Sequence, residues 1–313
     1  MQEVTVLIPT FRPDGKLNEL LRRLSKQSVK PVRVLLLNTV ETGADEDALC
    51  ETVDRFGDLF ENLSVFHVDR EAFDHGGTRH LGMTFADTEY VLCMTQDALP
   101  CDVHLIRRLL APFEDEKVAA AYARQVAGKG SSETERFTRT FNYPPRSRVK
   151  SAKDLDTLGI KTFFCSDVCA MWRRKTYFEM GGFERRTIFN EDMILAGKMI
   201  QAGWKIAYVS DAKVWHSHSY SSIRQLKRNF DLGVSQADHP EVFAQTASEG
   251  EGIRLVLQTF RHLFRCGRWV EIPKLFTDSA CKYLGYRLGK HYRTLPHRMI
   301  LKLTDAPLYW EKH

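Results

Sequence analysis

Short, nearly unbroken apolar runs punctuate the first half of the chain at Val4–Pro9, Val32–Leu37, Leu63–Val68, Tyr90–Met94 and Val118–Ala123. Runs of this length suit strands of a sheet covered on both faces. Between them the spacing changes to that of helices. Leu17, Leu20, Leu21 and Leu24 lie at i, i+3, i+4 and i+7, and Glu46–Phe60, Gly76–Ala86 and Asp102–Phe113 continue the series. The βαβα order predicts an α/β fold with a mostly parallel central sheet and flanking helices.

The second half is less regular. Residues Ala127–Asp156 are polar and basic, interrupted by Gly128, Gly130, Pro144 and Pro145, and read as a functional or mobile loop. Buried character returns at Phe163–Trp172. Arg174–Met180 reads as a short helix stopped by Gly181-Gly182, and Asp192–Ala202 as a helix with Gly203 at its C-terminus. Lys205–Val209 and Ala212–Trp215 read as two short strands. Beyond Tyr220 the pattern is helical throughout: from Ser221 or Ser222 to about Leu232, then Gly252–Phe264 and Trp269–Leu288. The expected division is residues 1–220 as the sheet domain and 221–313 as a basic C-terminal helical region.

Charge sharpens that division. The 313 residues carry a formal net charge of +5. From Glu251 onward twelve Lys and Arg face five acids, so the tail holds +7 and the rest −2. A basic tail whose helices are amphipathic (Leu255, Phe260, Leu263 and Phe264 beside Arg254, Arg261 and Arg265) points to packing on the sheet domain and to an anionic membrane surface. No nucleic-acid module accompanies it, so nucleic acid is not an expected partner. No apolar stretch reaches the length of a membrane span, and the N-terminus has no signal-peptide pattern. The seven cysteines form no C-x-x-C pair. Their expected state is reduced, in cytosol, with Cys165 and Cys169 as core residues rather than metal ligands.

Four places could carry chemistry. Asp97 follows the run Tyr90–Met94, at the strand end where open α/β sheets place ligands, although a turn aspartate would look the same. In Phe73-Asp74-His75-Gly76-Gly77-Thr78-Arg79 two glycines open a helix beside a guanidinium suited to phosphate. Asn190-Glu191-Asp192 sets acids at a helix start, where a carboxylate serves the helix dipole or a proton transfer. In Trp215-His216-Ser217-His218 the two histidines share a direction at a strand end and offer a metal ligand.

Taken together these strings resemble a family 2 glycosyltransferase of GT-A fold, over roughly residues 3 to 235. Val4-Thr5-Val6-Leu7-Ile8-Pro9-Thr10-Phe11 is similar to that family's opening strand and nucleotide-binding turn, and Gly77-Thr78-Arg79-His80-Leu81-Gly82 to its A-R-N-x-G helix. Thr95-Gln96-Asp97-Ala98 occupies the Asp-x-Asp position, Asn190-Glu191-Asp192 that of the base, and Trp215-His216 that of a late metal-binding motif. The Phe-Asp-His-Gly-Gly-Thr-Arg, Thr-Gln-Asp-Ala and His-Ser-His-x-Tyr-Ser strings resemble bacterial rhamnosyltransferases in particular.

The resemblance implies inverting transfer of L-rhamnose from dTDP-L-rhamnose, with Mg²⁺ or Mn²⁺, to a hydroxyl of a glycan, lipid-linked and at the cytoplasmic face of the membrane. Asp192 is the implied catalytic base. Implied donor contacts are Pro9, Thr10, Arg12, Asn38, Asp74, Gly77, Arg79, Gln96 and Asp97. Glu191 and Asp167 are the implied acceptor contacts, and Asp97, His216 and His218 the metal ligands. Two departures stand out: Asn38 replaces an acid that holds base or ribose, and Thr95 replaces the first acid of Asp-x-Asp. The competing expectations are a UDP- or GDP-sugar donor on the same fold, and a non-catalytic membrane-associated scaffold.

Overall fold

Alternation along the first strand decides the layering. In β1 (Val4–Phe11) Val6 and Ile8 face one apolar layer and Leu7 faces the other, all of them fully buried. The computed structural model describes residues 2–218, 220–244 and 249–311. After β1 come α1 (Gly15–Leu24), β2 (Arg33–Val40), α2 (Gly43–Phe56), β3 (Leu63–Asp69), α3 (His75–Phe85) and β4 (Tyr90–Met94). Helix α1 forms because Asp14 caps it by accepting from Lys16 N at 2.9 Å, and because Leu17, Leu20, Leu21 and Leu24 make one buried stripe. Each such leucine contributes about 2 kcal/mol by leaving water.

Strands β2 and β4 flank β1 in parallel, and β3 adds parallel to β2. The chain therefore builds outward in one direction through β3 and then returns to the other side of β1 for β4. That reversal opens a crevice at the C-terminal ends of β1 and β4, the usual ligand position in such sheets.

The chain continues through β5 (Leu99–Pro100), α4 (Leu105–Leu110), β6 (Val118–Val126), α5 (Glu133–Asn142), β7 (Arg148–Lys150), α6 (Leu155–Leu158), β8 (Cys169–Arg173), α7 (Arg174–Glu179), α8 (Glu191–Gln201) and β9 (Lys205–Trp215). The sheet order is β3-β2-β1-β4-β8-β6-β9-β5, with β7 on β9. β8 runs antiparallel to both β4 and β6, while β6 and β9 are parallel. Helices cover both faces, as the βαβα pattern predicts.

Two readings are corrected here. Residues 127–156 are not a structureless loop. Ser132 accepts from Glu135 N and starts α5, whose Phe137 stacks on His262. The two short strands expected at 205–215 are one strand, β9, whose pairing with β6 slips register at Ala123/Arg124; that irregularity breaks the apolar pattern without ending the strand.

The remaining helices are α9 (Ser222–Asp238), α10 (Pro240–Phe243), α11 (Glu249–Arg265), α12 (Ile272–Lys290), α13 (His297–Leu303) and α14 (Pro307–Glu311). Ser221 caps α9, which runs past the expected end near Leu232. α9 and α12 cross so closely that a Cβ on Gly285 would lie 2.1 Å from the Leu226 carbonyl oxygen. Phe230 and Val234 of α9 join Ile188, Ile300 and Trp310 in a third apolar cluster, so the C-terminal helices brace the loop that leads into α8. Among the described residues no helix is long and apolar enough to cross a membrane. Cys165 and Cys169 are buried and unpaired, in keeping with core thiols.

Candidate active site

Two groups of polar side chains gather at the C-terminal edge of the sheet. The first surrounds Asp97, just beyond β4. Gln96 fixes the turn by accepting from Phe11 N at 2.9 Å and donating to Phe11 O at 3.2 Å, which ties the ends of β1 and β4 together. Asp97 is thereby aimed at the end of β9. His218 Nε2 lies 3.3 Å from Asp97 Oδ2, and His216 Nε2 lies 3.7 Å from Oδ1. The two Nε2 atoms are 2.9 Å apart.

His216 is buried, and burial pushes its pKa down to about 3; burial also lowers that of His218. The rings are therefore neutral at pH 7 and present lone pairs. His216 Nδ1 is 3.0 Å from Gln125 Oε1. That amide is oriented because its nitrogen donates to Ser166 Oγ at 3.0 Å and its oxygen also accepts from Arg139. Gln125 can thus only accept from His216, which leaves Nε2 as the ligand atom. One ligand atom each of Asp97, His216 and His218 lies within 4.8 Å of the others. A carboxylate and two neutral imidazoles converging on one point are a donor set that a divalent cation fits.

The second group lies at the start of α8. Asn190 adopts the left-handed region (φ 66°), which asparagine tolerates better than most residues. Glu191 then turns inward to accept from Arg79 Nη1 at 2.8 Å. Asp167 Oδ2 stands 3.7 Å from Arg79 Nε, and its Oδ1 accepts from Trp172 Nε1 at 2.8 Å. Burial opposes the Arg79 charge, but Glu191 and Asp167 outweigh it and hold its pKa raised. Asp192 stays half-buried. It accepts from Asp167 N at 2.9 Å and from its neighbour Met193 N at 2.7 Å. Burial, and next the adjacent Glu191, raise its pKa to about 7. A carboxylate tuned to that range shares a proton readily near neutral pH.

Gly76 lets α3 reach this group. A Cβ there would fall 1.9 Å from the Glu184 carbonyl oxygen, so only glycine allows the helix start to press against the loop before α8. Asp74 caps the helix through Gly77 N.

Several expected contacts take different roles. Asn38 is fully buried; it accepts from Thr10 Oγ1 at 3.1 Å and donates to the Asp45 carbonyl at 3.1 Å. It braces β1 and β2 and offers no surface to a nucleotide. Gln96 is likewise spent on the Phe11 backbone, and Asp74 and Gly77 on their mutual cap. Arg79 is enclosed by Glu191 and Asp167 and stands under Asp192. Glu191 and Asp167, expected as acceptor contacts, are themselves only 7% and 2% exposed and turn toward Arg79. Arg12 is exposed, with φ 45°, and pairs with Glu41 at 2.5 Å at the rim of the crevice. Pro9 and Thr10 lie at the C-terminal end of β1.

The sequence reading missed Lys16, whose Nζ is 4.0 Å from Asp97, and Gln125, Arg139 and Ser166 behind His216. Lys16 left one clue: a cation in the first turn of a helix opposes the helix dipole. Gln125 lies at the end of β6, Arg139 on α5 and Ser166 in the loop before β8; their meeting behind His216 joins segments far apart in the chain, and no local pattern marked it.

A sheet with its reversal beside the first strand, a strand-end acid, and a base-like acid at a later helix start define a nucleotide-sugar transferase of GT-A type. The family described as "Glycosyltransferase like family 2" matches residues 2–230, and the chain belongs to it. Over 310 residues it is 35% identical to the O-antigen chain rhamnosyltransferase RfbN of Salmonella typhimurium, covering 98% of this chain and 96% of that protein. Over 313 residues it is 32% identical to the O-antigen chain rhamnosyltransferase WbaN of Salmonella anatum, covering 99% and 96%. Its fold is similar to that of the mannosyltransferase PcManGT from Pyrobaculum calidifontis, solved with GDP-Man and Mn²⁺. That match has a TM-score of 0.59 at 15% identity and covers 99% of this chain and 86% of the other.

Proposed function

We propose that this glycosyltransferase moves L-rhamnose from dTDP-L-rhamnose to a hydroxyl of a lipid-linked O-antigen-type glycan precursor, with inversion at the anomeric carbon. The near-full-length similarity to two O-antigen chain rhamnosyltransferases supports the sugar and the setting. The observation that carries the chemistry is Asp192: a half-buried carboxylate with its pKa raised to about 7, held by two backbone N–H donors at the mouth of the buried Arg79 cluster.

In this reading Asp192 accepts the proton of the acceptor hydroxyl as its oxygen forms a bond to the anomeric carbon. The bond from that carbon to the diphosphate breaks, and the electron pair leaves with dTDP. Asp97, His216 and His218 hold a divalent cation, which when bound neutralises charge on the leaving diphosphate. The two imidazoles favour Mn²⁺ over Mg²⁺, which prefers oxygen ligands. Lys16 adds positive charge beside Asp97. Arg79, Glu191 and Asp167 position and tune Asp192 from below. Residues 1–220 carry the chemistry, and residues 221–313 form the region that meets the cytoplasmic face of the membrane.

The test is a transfer assay that offers dTDP-L-rhamnose, UDP- and GDP-sugars to a lipid-linked acceptor. Release of dTDP coupled to glycan extension supports the reading. Transfer only from a UDP- or GDP-sugar refutes the donor assignment, and EDTA-insensitive turnover refutes the metal.

A further inference from the structure

The hairpin of α11 and α12 bears apolar surface that the fold leaves uncovered. Phe264, Trp269, Val270 and Phe276 are each at least half exposed, Val270 at 93%. The Phe264 and Trp269 rings stack with centroids 6.0 Å apart, and Phe260 joins Phe264 at 6.2 Å and Phe276 at 5.8 Å, so these side chains form one patch rather than scattered contacts. Along α11 the patch continues through Leu257 and Ile253, both exposed. With Tyr283 of α12 they line an apolar groove of about 440 Å³.

The charges around the patch are sorted by sign. The acids of the hairpin turn toward the catalytic domain or are paired within the helices. Glu251 pairs with Lys161 at 2.5 Å, Glu271 accepts from Thr134 N and Oγ1 at 2.9 and 2.7 Å, and Asp278 pairs with Lys274 at 2.8 Å. Among the described residues Arg261 and Arg265 have no ion-pair or hydrogen-bond partner, and both are exposed. An aromatic patch beside unpaired arginines, with the acids drawn away, complements an anionic lipid surface: rings enter the headgroup boundary and guanidiniums meet phosphates. A protein partner would satisfy the patch, but unpaired arginines beside it, with Asp278 and Glu271 already bonded within the protein, select an anionic lipid.

We infer that the α11–α12 hairpin is a monotopic membrane anchor that inserts Phe264, Trp269 and Val270 into the interface of an anionic bilayer. The inference deepens the proposed function, because it presents the active site to an acceptor carried by lipid. Glu271 and His262 tie the hairpin to α5 of the sheet domain through Thr134 and Glu133.

The test is co-sedimentation of the full chain with vesicles of phosphatidylcholine containing phosphatidylglycerol, and with phosphatidylcholine alone. Wild type binds the anionic vesicles. The variant Phe264→Ala/Trp269→Ala/Val270→Ala loses at least about tenfold in partitioning, and Arg261→Gln and Arg265→Gln lose about fivefold each. All three proteins keep the wild-type melting temperature and keep transfer to a water-soluble acceptor, a readout that fails separately if the proposed activity is wrong. Equal vesicle binding by wild type and the aromatic variant overturns the inference. So does absence of wild-type binding, or a dimer in sedimentation velocity that the aromatic variant dissolves.

Discussion

Replacing Asp192 with Asn is expected to abolish transfer and yet stabilise the protein above neutral pH. The ionised carboxylate is held against burial and against Glu191, which raise its pKa from 3.8 to about 7. That difference of about three units corresponds to about 4 kcal/mol. Because the folded-state pKa is the higher one, this stability is fully present below about pH 4. It drains as pH rises towards 7 and stays lost above it. A neutral amide escapes the loss but has a single oxygen for two backbone donors, Asp167 N and Met193 N. One donor left without an acceptor costs about 1–3 kcal/mol. The net gain at about pH 8 is then about 1–3 kcal/mol, and it vanishes near pH 5 and reverses below. For a chain of this size that is about 2–4 °C in Tm. Differential scanning fluorimetry of both proteins across this range measures it. An Asn variant that melts lower than wild type by the same margin at about pH 5 and about pH 8 would refute the claim that Asp192 ionises against its surroundings.

Three further substitutions probe the supports. Arg79→Met leaves Glu191 and Asp167 buried without their cation and is expected to cost about 3–5 kcal/mol in urea unfolding, an effect that shrinks as pH falls and Asp167, whose pKa burial holds raised, takes up a proton. Gln125→Leu removes the acceptor that sets the His216 ring and that also bonds Arg139; Mn²⁺ affinity, read by calorimetry, should fall about 10–100-fold, and the orphaned donors should lower the melting temperature in EDTA as well. Gly76→Ala drives a methyl into the Glu184 carbonyl and should destabilise by about 1–3 kcal/mol or more, with turnover lost in proportion as the loop before α8 shifts.

The parallel half of the sheet was legible because its strands are buried on both faces and so are spelled in continuous apolar residues, Tyr90–Met94 above all. The Asp97, His216 and His218 constellation was legible as residue types at strand ends. Helix α5 was hidden because only Phe137 and Phe141 mark its packed face; the signal present was the cap, Ser132 followed by Glu135. β9 was split in reading because a register slip interrupts its alternation. Residue roles were the least legible. A sequence shows that Asn38, Gln96, Glu191 and Asp167 are polar and near motifs, but not that each already has its partner inside the protein. Burial decides between touching a substrate and holding the residue that does, and burial here depends on pairs far apart in the chain, such as Arg79 with Glu191.

The proton acceptor is the heart of this account, and one experiment addresses it directly. Wild type and Asp192→Asn are each incubated with dTDP-L-rhamnose, Mn²⁺ and a lipid-linked acceptor, and the rate and anomeric configuration of the product are read by NMR. The account predicts an inverted product from wild type and a loss of at least about 100-fold in the Asn variant, with donor binding retained. Retention of configuration, or turnover in the variant close to that of wild type, would contradict it.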